Sequence, residues 1–194
     1  MAFTKRSEAT RNAILTAARK LLTERGYDAM TIRAVAAEVG VDPSMVMRYY
    51  GSKAGLFSAA IDVDLRLDQL PPVSADRLGE ALARHFLARW EGELSDDAVM
   101  LLLRSASTSD LAAEHVRAVF ATQISAAFER LIGAGTPALA RRAALVSAHL
   151  LGLALGRYVL RFPPLARLDV ATLADDVAPV LQYYLTGDLA GAVR

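Results

Sequence analysis

The 194-residue chain has no cysteine, a single tryptophan and three histidines. Without cysteine there are no disulfides and no thiolate metal sites, as suits a reducing compartment. His85, His115 and His149 are too far apart in sequence to form the i, i+4 pair that holds a metal on one helix face. There is no Gly-rich phosphate loop and no Ser-His-Asp signature. Asp96-Asp97 and Asp175-Asp176 are adjacent residues, which diverge around a helix instead of sharing a site. No catalytic constellation, metal or cofactor is expected, and the chain reads as a non-enzyme. The first thirty residues are charged throughout, so no signal peptide is legible. The longest apolar stretch, Ala143 to Gly156, is about 14 residues and contains His149, short of the roughly 17–25 that a membrane span needs. A buried helix in a cytoplasmic protein is the expectation, with no membrane partner.

What the chain has is apolar residues, 54% of the total, with alanine and leucine dominant and only seven prolines. That composition favours an all-α fold with a sizeable core. The net charge of +1 hides a gradient. Residues 1–53 hold nine Lys and Arg against five Asp and Glu, whereas 54–194 hold thirteen against sixteen. A basic front on a mildly acidic body suits a polyanionic partner. Helices are expected over about 10–25, 31–39, 43–50, 53–70, 74–93, 96–108, 110–132, 137–162 and 170–185, about nine in total. The first carries Ile14, Ala17, Ala18, Leu21 and Leu22 as one apolar stripe, and Gly26 is placed to stop it. Gly187 to Arg194 is expected to be a loose tail.

Thr31 to Lys53 reads as two short helices joined by a tight turn. Thr31 can cap the first, whose inner face is Ile32, Val35, Ala36 and Val39. Gly40 and Val41 make the turn, Asp42 caps the second helix, and Pro43 occupies its first position, where the missing N–H costs nothing. On a helical wheel Val46 and Tyr50 point inward, while Ser44 and Arg48 face outward with Met45 and Met47 on the flanks. This is a helix-turn-helix whose second helix suits a DNA major groove. Arg48 can take a guanine through its paired donors, Ser44 can bond most base edges, and Pro43 and Met47 can touch a thymine methyl. Thr31, Arg33, Tyr49 and Lys53 surround that face as candidate phosphate contacts. Lys5, Arg6 and Arg11 can form a basic arm. The plainer alternative is a helical pair within some bundle, with Arg48 solvated.

Residues 10–61 resemble the DNA-binding domain of the tetracycline-repressor (TetR) family of bacterial transcriptional regulators. The resemblance rests on Ile14-Leu15, Ala17-Ala18, Leu21-Leu22, Gly26-Tyr27, Thr31-Ile32, Val35-Ala36, Val39-Gly40-Val41, Val46, Tyr49-Tyr50, Ser52-Lys53 and Leu56-Phe57, in register without a gap. Many members of that family carry Tyr at the place of Met47 and His-Phe at Tyr49-Tyr50; Met47 lacks the hydroxyl of one usual backbone contact, while Tyr49 can still donate to a phosphate.

The resemblance implies an N-terminal three-helix DNA-binding domain over 1–53. A connecting helix would join it to a C-terminal helical ligand-binding and dimerisation domain over 54–194. It implies a homodimer paired through the last two long helices, a double-stranded DNA operator and a small-molecule effector. The apolar face of Ala144, Ser147, Ala148, Leu151, Leu155 and Tyr158, with Gly152 and Gly156 to admit a close neighbour, fits such a pairing; a wholly intrachain core helix is the alternative. Phe86, Trp90, Met100, Leu103, Arg104, Phe120, Ile124 and Phe128 are candidates to line an effector pocket, although such stripes are more often ordinary core. The expected function is a homodimeric repressor released from a palindromic operator by its effector. The competing reading is a helical adaptor or ligand-binding protein that does not bind an operator.

Overall fold

The computed structural model describes residues 5–91, 101, 105, 110–136 and 138–190. In order these form α1 (Lys5–Ala29), α2 (Ile32–Val39), α3 (Pro43–Tyr50) and α4 (Lys53–Ala60), then single 3-10 turns at Leu67–Gln69 and Ala75–Arg77. Next come α5 (Leu78–Glu91), α6 (Asp110–Val119), a π turn (Phe120–Ile124) and α7 (Ser125–Ile132). The chain continues through α8 (Leu139–Ala154), a second π turn (Leu155–Val159), α9 (Pro163–Ala166) and α10 (Val170–Thr186). Among the described residues there is no strand. The expected helix over 96–108, with Met100, Leu103 and Arg104, lies outside them apart from Leu101 and Ser105, which are helical.

The described residues fall into two compact units, divided after Val63, with 110–116 in the first and 117–190 in the second. In the first, the α1 stripe is buried as its spacing predicts: Ile14 and Ala18 are wholly enclosed, and Ala17, Leu21 and Leu22 nearly so. They meet Val35 and Ala36 of α2, Val46 of α3, and Leu56, Phe57 and Ala60 of α4. Met30 closes this core from below, and Tyr27 sets its ring edge-on to Phe57 at 4.8 Å.

Three boundaries in the first unit differ from the sequence expectation, the two ends of α1 and the end of α4. α1 begins at Lys5, so Lys5 and Arg6 extend the helix and do not form a free arm. Gly26, at φ 76° and ψ 179°, breaks α1 as expected, but one more helical turn follows before α2. α4 stops at Ala60, about ten residues early. The reason is that other elements claim the backbone beyond it. Gln123 accepts from the Leu65 N–H at 2.8 Å, and the His85 ring bonds the Leu65 carbonyl at 3.0 Å. Arg89 donates to the Asp64 carbonyl and Arg130 to that of Leu67. These bonds stand in for the ladder a continued helix would have made.

The second unit is built on the crossing of α5 and α10. Leu78, Leu82, Ala83 and Leu87 face Leu173, Ala174, Val177, Leu181 and Leu185, with Phe128, Ala143 and Val146 completing the cluster. The two backbones approach most closely at Gly79, where a Cβ would run into the Ala178 carbonyl and the Gln182 amide nitrogen. Gln182 also accepts from the Gly79 N–H at 2.8 Å and donates to the Ala75 carbonyl at 2.8 Å. A side chain of α10 thereby satisfies one of the free donors at the start of α5.

Leu139–Val159 is one helical run of 21 residues, long and apolar enough by length and composition to cross a membrane. Its charges argue for packing within the protein. Arg142, 7% exposed, donates to the Tyr184, Leu185 and Gly187 carbonyls at the end of α10. Arg157, 8% exposed, donates to Glu91 at 2.9 and 3.0 Å and to the Leu165 and Leu168 carbonyls. The expected loose tail is tied down as far as residue 190: Leu189 is buried, and Arg141 donates to the Ala190 carbonyl.

Gly79→Ala should destabilise the second unit by about 1–3 kcal/mol through overpacking. A lowered midpoint in urea denaturation would register the loss, and an unchanged midpoint would mean the helices can separate at no cost.

Candidate nucleic-acid interface

The outward face of α3 is fixed from its two ends and its back. Asp42, the N-cap, accepts from the Ser44 N–H at 2.8 Å, and Pro43 opens the helix. Gly51 ends it in a positive-φ conformation (73°), and Ser52 caps α4 by accepting from the Gly55 N–H at 2.9 Å. Gly55 was not singled out by the sequence reading. Its role is steric, since a Cβ there would strike the Tyr50 carbonyl. Val46 is fully enclosed, and the Tyr50 phenol donates to the Arg11 carbonyl of α1 at 3.1 Å. Burial pushes the Tyr50 phenol above its usual pKa.

With that back anchored, Ser44, Met47 and Arg48 are exposed together, one helical turn apart. Pro43 is half-buried beside them. Met47 is 43% exposed, a high value for so apolar a side chain. The Arg48 guanidinium lies over the Tyr49 ring, 5.5 Å from its centroid.

The expected phosphate contacts are arranged unevenly. Thr31 caps α2, accepting from the Ala34 N–H at 3.1 Å, and Arg33 in its first turn is exposed. Tyr49 shares a hydrogen bond of 3.1 Å with Ser7 on α1. The Ser7 hydroxyl, then the Arg48 and Arg11 charges, hold the Tyr49 phenol below its usual pKa. Lys53 turns back toward α1: its ammonium donates to the Asp28 carbonyl at 3.1 Å and sits 4.3 Å above the Tyr27 ring. Sequence spacing gave no sign of this, because the partners are about twenty-five positions away.

Of the remaining predicted positions, Met100, Leu103 and Arg104 lie outside the described residues and the others lie in the second unit. Phe128 is buried in its core, and Phe86, Phe120 and Ile124 pack half-buried against it. Trp90 is buried, tilted against Phe86 and stacked flat on Tyr158 at 4.8 Å. On α8, Ala144, Ala148, Leu151 and Gly152 are exposed, as is Leu155 in the following turn, and Ser147 is half-buried. Val180 and Tyr183 of α10 are exposed too. Two positions do not join this face. Gly156 is buried, and the chain's own Phe162 and Leu165 fill the space beside it. Tyr158 turns inward, donating to Glu91 at 3.0 Å; burial, and then that carboxylate, push its phenol up to about 12. Both lie within the π turn at Leu155–Val159, which departs from the α-helical period that a helical wheel assumes.

Asp42 is exposed, and its bonds to the Ser44 hydroxyl and N–H hold it below its usual pKa. Because the folded-state pKa is depressed, this contribution is present above the unfolded value and lost as pH falls through the folded one. Asp42→Asn keeps a capping oxygen without the charge. The variant should therefore lose less stability than the natural chain in melts taken below pH about 4. Equal losses would assign Asp42 no part in the acid response.

A family model described as "Tetracyclin repressor-like, C-terminal domain" matches residues 76–185, and one described as "Bacterial regulatory proteins, tetR family" matches residues 14–60. Over 53 residues the chain is 45% identical to the nucleoid occlusion factor SlmA of Pasteurella multocida (strain Pm70). That match covers 27% of each, so the chain spans about a quarter of the length of this curated relative. The crystal structure of a TetR-family regulator from Streptomyces coelicolor A3 is 29% identical, with 95% of this chain and 99% of that one covered and a TM-score of 0.69. NalD of Pseudomonas aeruginosa, the secondary repressor of the MexAB-OprM multidrug efflux pump, is 21% identical at a TM-score of 0.70, with 96% and 100% covered. At that identity the likeness is one of fold.

Proposed function

This chain belongs to the TetR family of bacterial DNA-binding transcriptional regulators, and from that premise we propose that it is a homodimeric repressor, released from a palindromic operator by a small-molecule effector. The observation that carries the DNA-binding half is the joint exposure of Ser44, Met47 and Arg48 on a helix whose opposite side is enclosed at Val46. Arg48 reads a guanine through its paired donors, Ser44 a neighbouring base edge, and Pro43 and Met47 a thymine methyl. Thr31 and Arg33 hold phosphates at the start of α2, where the helix dipole favours an anion. Lys53 adds a further cation at the start of α4. The protein acts in the cytoplasm, where the chromosome lies.

For the dimer, the support is the exposed row of Ala144, Ala148, Leu151, Gly152 and Leu155, joined by Val180 and Tyr183. Leu151 is 39% and Leu155 41% exposed, a cost that a second copy of α8 and α10 removes by burying them. A two-fold pairing sets two recognition helices about 34–36 Å apart, as successive major-groove faces require. For the effector, Phe86, Phe120, Ile124 and Phe128 offer an apolar lining beside Trp90. The π turn carrying Phe120 and Ile124 interrupts the α-helical ladder there, a feature frequent at functional positions. Effector and operator then weaken each other's binding by the same factor.

Binding-site selection from randomised duplex DNA supplies the test. A chain that enriches no sequence at low salt would end the proposal. On the selected duplex, Arg48→Ala should lose about 1–3 kcal/mol and relax preference at one base position. Arg33→Ala should weaken binding to every sequence and lower the salt slope by about one. Leu151→Glu should shift the protein from dimer to monomer in sedimentation velocity; a variant that sediments like the natural chain would move the interface elsewhere.

A further inference from the structure

α1 begins a full turn and more ahead of its expected start, and that added length reaches α3. Ser7 and Arg11 are four residues apart and so share one face of α1. Each meets one of the two adjacent tyrosines that end α3: Ser7 the phenol of Tyr49, and the Arg11 carbonyl that of Tyr50. The two rings lie edge to face, 6.4 Å apart. Tyr50 is the inward member and serves to anchor the helix. Tyr49 is only half-buried, and its ring carries the Arg48 guanidinium at 5.5 Å, within the range of a cation–π contact.

We propose that the first turn of α1 aims the base-reading arginine: Ser7 fixes the Tyr49 ring, and the Tyr49 ring fixes the Arg48 guanidinium, which makes Tyr49 a positioning residue. This rests on the reading that Arg48 contacts a base. An arginine side chain has many rotamers, and freezing them on contact costs affinity. A planar ring beneath the guanidinium removes part of that cost before DNA arrives. It also orients the plane of the paired donors, on which bidentate recognition of a guanine depends. The bond to Ser7 holds the Tyr49 ring in place, and the role proposed for that ring is to position Arg48 and not to hold a phosphate. The arrangement ties an element that touches no base to the choice of base.

The test uses the full chain and the duplex it selects from randomised DNA, with binding measured for all four bases at each position. Arg48→Ala is expected to reduce discrimination at one position on the order of tenfold. Tyr49→Leu should reduce discrimination at that same position and leave the other positions unchanged. Combined with Arg48→Ala it should add nothing there, since the ring acts only through the arginine. Ser7→Ala and Tyr49→Phe, which keep the ring and the fold, should each give a partial loss of about two- to fivefold at that position. Uniform weakening on every sequence by Tyr49→Phe, with discrimination intact, would make Tyr49 a phosphate contact and overturn the proposal. So would full additivity of Tyr49→Leu and Arg48→Ala. If Arg48→Ala changed discrimination nowhere, the base reading itself would fall, and the positioning role with it.

Discussion

A helix of eight residues is below the length, about 12–15, at which even a favourable sequence stays helical alone in water. α2, α3 and α4 are each that short. The surface proposed to read DNA therefore cannot owe its shape to local propensity. It depends on the enclosure of Val46, Val35, Leu56 and Phe57 against the long α1, and on side-chain caps at Thr31, Asp42 and Ser52 that satisfy each helix start. The caps settle where each helix begins, and the buried residues settle which way it is turned. Once both are set, Ser44, Met47 and Arg48 have no other direction to face.

The second unit meets the same constraint in another way. Its main helices, α5, α8 and α10, are longer, and helix ends among them are served by side chains from neighbouring elements. Gln182 reaches the start of α5, and Arg142 reaches the end of α10, where a cation also suits the helix dipole. The buried Arg157 is paired with the Glu91 carboxylate, which it shares with Tyr158, and with two carbonyls. Burying a guanidinium is tolerable only with such complete pairing. These bonds explain why a helix apolar enough to span a bilayer is also held at both ends by charges that a bilayer would not accept.

Much of this was legible in the sequence where one chemical signal acts over one or two turns. The α1 stripe, the Thr31 and Asp42 caps, the Gly40 turn, Pro43 and the outward Ser44 and Arg48 all followed from spacing and side-chain type. What escaped was decided by partners distant in sequence. α4 ends at Ala60 because Gln123, His85, Arg89 and Arg130 take the next stretch of backbone. Lys53 turns toward Asp28 and Tyr27, and the tail is held by Arg141 and by burial of Leu189. Gly156 and Tyr158 face the chain's own residues, within a π turn that breaks the constant 3.6-residue period a helical wheel assumes. Ser7 drew no notice because a lone serine in a charged N-terminal segment carries no pattern of its own.

The residues that hold α3 and the residues that α3 displays are different residues. Asp42, Val46 and Tyr50 carry the stability, whereas Ser44 and Met47 stand clear of the core. Exposed positions away from caps and core usually tolerate substitution within about 0.5 kcal/mol. If the proposed reading face is right, a duplicated copy of this chain could change its DNA preference at 47 almost free of any folding penalty, whereas a change at 44 also gives up the hydroxyl bond to the Asp42 cap. Position 48 is less free, because a new residue there would leave the Tyr49 ring without its cation.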